Sequence, residues 1–118
     1  MSRVTNVLVV CSVLESEDDT DTVGAIQRIN ANTDFSGHLT PLHDFVKGPK
    51  SMEVYVFGAA YNHLFLGDLF NEILAAPWLE PDYVLVVVAE QEDDRAIPWT
   101  LAEIKKRLVS SSEEKGNL

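Results

Sequence analysis

Tyr61 and His63 stand two positions apart in Ala60-Tyr-Asn-His63, and they are the side chains of this chain best suited to moving protons. A phenol and an imidazole facing one small-molecule pocket can divide the work of general acid and general base. The rest of the sequence does not complete a catalytic set around them. No nucleophile stands beside a base, and there is no G-x-S-x-G elbow, P-loop or glycine-rich phosphate cradle. The same two residues serve equally well to close a loop or cap the helix that follows.

Carboxylates form the other dense groups. Glu15-Ser-Glu-Asp-Asp-Thr-Asp21 is one acidic run, and Glu90-Gln-Glu-Asp-Asp-Arg95 places four carboxylates in six positions. Neighbouring carboxylates push each other's pKa values apart and so supply an acid and a base, but only in a cleft with apolar walls. At strand ends they read instead as solvated surface that a partner can meet. Glu17, Asp18, Asp19, Glu92, Asp93 and Asp94 are the expected partner-binding residues. Trp99 joins them, because aromatics beside a charged rim are the composition of protein interfaces and equally of core plugs; Trp78 has the same surroundings.

No metal or cofactor is expected. His38 and His43 are five apart, which strand alternation puts on opposite faces, and neither H-x3-H nor C-x2-C occurs. The first acidic run lacks the glycine that a calcium-binding EF-hand loop requires.

The chain has 118 residues, with 19 acidic against 9 basic, a formal net charge of -10. That length suits a single domain, expected over residues 1–109, with 110–118 a polar, fraying tail. The charge repels nucleic-acid phosphates and attracts cationic proteins. A lone cysteine, Cys11, forms no internal disulfide and falls within an apolar strand, where it acts as a small hydrophobe. No cationic, apolar leader precedes the first strand, and no apolar run reaches the roughly 18 residues of a membrane span. The expectation is a cytoplasmic protein that binds neither membrane nor nucleic acid.

The elements that must position these residues follow from hydrophobic periodicity. Asn6–Leu14 and Tyr83–Ala89 are continuous β-branched runs, read as strands. Val23, Ile26 and Ile29 recur at helical spacing, with Thr20 or Asp21 as N-cap. His38–Val46 reads as an edge strand because it contains Pro41, Lys47-Gly-Pro-Lys50 as a turn, and Met52–Ala60 as a further strand. Leu64–Ala76 carries the clearest helical stripe, in Leu66, Leu69, Phe70, Ile73 and Leu74. Pro98 is expected in the first turn of a third helix that contains Leu101, Ile104 and Leu108.

This β-α-β-β-α-β order resembles the ferredoxin-like split βαβ sandwich, an α+β fold, with an additional C-terminal helix. The arrangement expected has strands one and three parallel, with two and four antiparallel to them. One pole then gathers the Glu15–Asp21 loop, His38, the Tyr61 and His63 loop and Asp82; the other gathers Arg3, Lys47–Lys50 and Glu90–Arg95. Two helices cover one face of such a sheet, whereas the first and last strands are apolar on both faces. The open face is therefore expected to be a homodimer interface, sealed with help from the C-terminal helix. The function expected is a non-enzymatic, acidic protein–protein interaction module for a basic partner, as in immunity proteins and inhibitors. The alternatives are a small enzyme of the dimeric α+β-barrel type, with its pocket near Tyr61 and His63, and a structural subunit of a larger assembly.

Overall fold

The computed structural model describes residues 4–16, 23–32, 34–35, 37–42, 54–90 and 95–116, with side chains in the last helix described as far as Val109. The expected participation of Glu17, Asp18, Asp19, Glu92, Asp93 and Asp94, the Lys47–Lys50 turn, His43 and Arg3 fall outside these residues. In chain order the elements are β1 (Val4–Ser12), α1 (Gly24–Asn30), β2 (Thr40–Pro41), β3 (Val54–Asn62), α2 (Leu66–Ala75), β4 (Leu85–Glu90), β5 (Ile97–Thr100) and α3 (Leu101–Gly116). Single 3-10 turns occupy Val13–Glu15 and Pro81–Tyr83. The fold is α+β, with one five-stranded sheet in the order β2-β3-β1-β4-β5, antiparallel at every described pairing.

β1 pairs along its length with β3, from Val4 opposite Asn62 to Ser12 opposite Val54. On its other side Thr5 lies opposite Glu90 and Val10 opposite Leu85. Alternation then sorts the side chains. Val7, Val9, Cys11, Phe57, Val86 and Val88 point to one face and are buried beneath Ile26 and Ile29 of α1, Leu69, Phe70 and Ile73 of α2, and Ile104 of α3. These form one hydrophobic cluster. A full cover of the Cys11 thiol raises its pKa to about 12, by burial first and the Glu15 carboxylate second.

The strand directions correct the expected arrangement. A helical crossover returns the chain to the end of the sheet where it began, so β1 and β2 run parallel, and β3 and β4 run parallel to each other and against them. The expected poles are accordingly redistributed. The C-terminal end of β1 meets the start of β3 and of β4; Tyr61 and His63 share the opposite pole with His38 and Glu90. Val54, where β3 begins, and Glu90 are at opposite ends of the sheet.

Two local assignments also change. Pro98 lies in β5 opposite Val87, not in a helix. β5 is an edge strand, where the missing N–H of proline costs no ladder bond. The helix begins one turn later, at a capping box: the Thr100 hydroxyl accepts from the Glu103 amide at 3.2 Å, while Glu103 accepts from the Thr100 amide at 3.0 Å. Those bonds hold the exposed Glu103 carboxyl below its usual pKa, the backbone one most. Likewise α1 takes Val23 as its N-cap, without a side-chain cap, because Val23 is held in an antiparallel bridge to Ser16.

The third helix packs on the same side of the sheet as the other two. Ile104 is fully buried in the common core, Trp99 meets Phe70 edge-on at 5.1 Å, and the Arg107 guanidinium lies 5.5 Å from both ring centres. It does not seal the outer face of the sheet. No helix among the described residues is long and apolar enough to cross a membrane.

Burial makes a test of the core. Cys11 should resist alkylation by iodoacetamide at pH 8 in the native protein and react fully in denaturant, read by mass spectrometry. Rapid labelling of the native chain would show that β1 is not covered as described.

Candidate functional site

Glu15 builds the most distinctive corner of the molecule. Its carboxylate is buried, 2% exposed, and accepts from the amides of Leu79 at 2.8 Å and Glu80 at 2.7 Å. Two charge-assisted bonds satisfy a group that is otherwise costly to bury. They tie the chain after α2 to the end of β1. The Ser12 side chain caps the 3-10 turn that presents Glu15, by accepting from the Leu14 amide at 3.1 Å. The Trp78 indole donates to the Ile73 carbonyl at 2.7 Å and fixes the other side of the corner.

The pole that results mixes apolar and acidic surface. Leu14 is 63% exposed, Leu79 61% and Tyr83 51%, and Glu80 and Asp82 are exposed among them. The acidic run leaves from Ser16 at the same corner. Its base is closed by the Ser16–Val23 bridge and by the Tyr55 hydroxyl, which donates to the Ser16 hydroxyl oxygen at 3.1 Å. Residues 17–22 lie between these pinned ends. The second acidic run leaves from Glu90, at the far pole. Glu15 was expected as part of a solvated loop; the structure makes it the buried anchor. Nothing in the local sequence signals that, since its partners are 64 and 65 residues away.

The far pole holds the proposed proton-transfer pair, and the structure separates its members. Tyr61 alternates inward and is 1% exposed; its hydroxyl is the only buried side-chain polar atom without a hydrogen bond among the described residues. Burial raises the phenol pKa from 10.0 to about 12. His63 follows β3 in the left-handed region, at φ 55°, and is exposed. It lines a hollow of about 100 Å³ with Asp34, Asn62, Phe65 and Asp68, among others. Phe35 also lines that hollow and meets Tyr61 edge-on at 5.8 Å, while Tyr61 does not reach it. His38 is exposed nearby, and no group of three or more His, Cys, Asp or Glu gathers as a metal set among the described residues.

Trp99, expected at an interface, is half-buried between Phe70 and Arg107. It borders a groove of about 240 Å³ with Leu66, Val88, Glu90, Ile97 and Arg107. A wider hollow, about 350 Å³, lies on the outer face of the sheet over Asn6, Gly58, Ala60 and Ala89. The apolar character of that face was legible in the continuous strand runs. That Leu14, Leu79 and Tyr83 are exposed around the Glu15 corner was missed, because they come from separate segments.

Comparison with protein-family models, curated proteins and solved structures gives no match.

Two substitutions test this geometry. Glu15→Gln keeps the shape but opposes an amide N–H₂ to one backbone donor, and should lower stability by about 2–3 kcal/mol in urea melts. Tyr61→Phe removes an unpaired buried hydroxyl and should be neutral or stabilising by up to about 1 kcal/mol. The wild type should also lose stability as pH rises from 10.0 towards about 12, because the unfolded phenol ionises first; Tyr61→Phe should lose less. Strong destabilisation by Tyr61→Phe would reveal a hydrogen bond that this geometry lacks.

Proposed function

We propose that this chain is a non-enzymatic protein-interaction module, built on a ferredoxin-like split βαβ sandwich and docking a basic protein at the Glu15 pole. The fold reading is supported by the antiparallel order β4-β1-β3-β2 within the sheet, with α1 and α2 as crossovers on one face and β5 added at the edge. The observation that carries the functional reading is the composition of the pole. Exposed Leu14, Leu79 and Tyr83 stand beside Glu80 and Asp82, next to the origin of the acidic run.

Apolar and aromatic side chains inside a charged rim supply the two terms a docking site needs. The apolar surface gives affinity when covered, and the carboxylates steer a cationic partner and reject acidic ones. Glu17, Asp18 and Asp19 extend the acidic rim in sequence, while Glu92, Asp93 and Asp94 belong to the second run and contribute to the long-range field. Rigid backbone is part of the design: the two amide bonds to Glu15 hold Leu79 and Glu80 in place before binding, which lowers the entropy lost on docking. The separation of Tyr61 from the His63 hollow weighs against the enzyme alternative. A lone buried thiol and an acidic surface fit a reducing, cytoplasmic setting.

The test is affinity capture from native lysate with immobilised wild type, Glu80→Lys/Asp82→Lys and Tyr83→Ala. Wild type should retain a basic protein at about 0.1 M salt and release it at about 1 M, where the screening length shrinks to about 3 Å. Charge reversal should abolish retention, and Tyr83→Ala should weaken it about tenfold or more, as loss of an interface anchor does. Equal capture by all three forms would sink the reading, because generic attraction to a polyanion does not depend on Tyr83.

A further inference from the structure

We infer that the outer face of the sheet is the seat of a second copy of this chain, so that the functional unit is a face-to-face homodimer. The inference is independent of the basic partner at the pole. It starts from what the face lacks. Across β3, β1 and β4 the outward positions are apolar, small or amide side chains, and none is charged, in a chain of net charge -10. A basic partner finds no carboxylate there to recognise. A second copy, equally acidic elsewhere, brings a surface as neutral as the face itself.

The relief of the face suits a two-fold contact. Leu8, 41% exposed, stands on the central strand, and Leu42, 38% exposed, follows the edge strand β2. Their side chains close over Gly58, where an added Cβ would lie 2.6 Å from Leu42 Cδ1 and 3.2 Å from Leu8 Cδ2. Beside this ridge lies the 350 Å³ hollow over Ala60 and Ala89. A contact between identical surfaces needs a projection and a recess within one patch, because the two-fold axis sets each against the other. Ridge and hollow meet that requirement.

The extent is sufficient as well. A sheet of five strands spaced about 4.8 Å and about 20 Å long on average, from two residues in β2 to nine in β1 and β3, presents on the order of 500 Å² of plane per copy, and side-chain relief adds to it. Two such faces reach the roughly 1,000 Å² total that separates stable interfaces from chance contacts. The described sheet edges are poor competitors. Both edge strands are short and each carries a proline, Pro41 in β2 and Pro98 in β5, which blunts strand-to-strand addition.

Sedimentation of the purified full chain tests this without any partner. The expected mass is twice 13.1 kDa. Association should hold or tighten between about 0.1 M and about 1 M salt, since screening relieves repulsion between two acidic copies. The pole complex responds to salt in the opposite sense, so failure of one idea is distinguishable from failure of the other. Leu8→Glu should give a monomer, with folding checked by circular dichroism, whereas Phe65→Glu, away from the face, should remain dimeric. Should Leu8→Glu not fold, Leu42→Glu on the edge reads the same contact. A monomeric wild type at the highest soluble concentration overturns the inference, as does a folded Leu8→Glu or Leu42→Glu dimer.

Discussion

A strand that is paired on both sides over most of its length, with apolar side chains above and below, demands two covers. β1 is that strand here, flanked by β3 and β4, with Val7, Val9 and Cys11 on one face and Leu8 and Val10 on the other. The inner face is covered within the chain by three helices. Everything else about the architecture follows from how the chain reaches that cover. Helical crossovers set the strand directions, and β5 carries the chain to the sheet edge so that α3 can descend beside α2. Trp99 alternates inward opposite Val86 and meets Phe70, which places the start of α3 in the inner layer.

The irregular segments are positioned by polar groups that bond the backbone of another segment. Asn30 at the end of α1 accepts from the Leu39 amide at 2.8 Å and donates to the Leu39 carbonyl at 2.9 Å, which holds the approach to β2 as a neighbouring strand would. Glu15 does the same for Leu79 and Glu80. Both are buried or half-buried groups with their bonding capacity directed at backbone, so each converts a desolvation cost into a fixed loop position. Tyr61 is the exception. Its buried hydroxyl lacks a described partner, and its ring is retained for packing against Phe35.

This contrast explains which parts were legible in the sequence. Hydrophobic periodicity is a local record, so the two continuous strands, apolar on both faces, and the α2 stripe at Leu69, Phe70 and Ile73 were readable. Strand direction is not local, and the mistaken parallel placement of strands one and three put the Tyr61–His63 loop at the wrong pole. Pro98 was ambiguous because proline suits a first helical turn and an edge strand equally; the capping pair Thr100 and Glu103 was the cue that the helix starts later. Buried Glu15 had no cue at all, because its acidic neighbours resemble solvated loop and its two donors are backbone amides.

The two surfaces are chemically exclusive, and their spacing lets them act together. β1 has nine residues, so the acidic pole at its end lies about 15 Å from the centre of the outer face at a rise of about 3.3 Å per residue. That exceeds the screening length of about 8 Å at physiological salt, so charge at the pole imposes little repulsion on a contact centred at Leu8. The proposed dimer through the faces would leave both poles exposed, with Leu14, Leu79 and Tyr83 free in each copy. Two identical docking sites on one rigid body bind a repeated or dimeric basic target more tightly than either site alone, to the extent that the target spans them. On the two proposals together, the uncharged sheet would set the number of sites and the acidic pole would set what they accept.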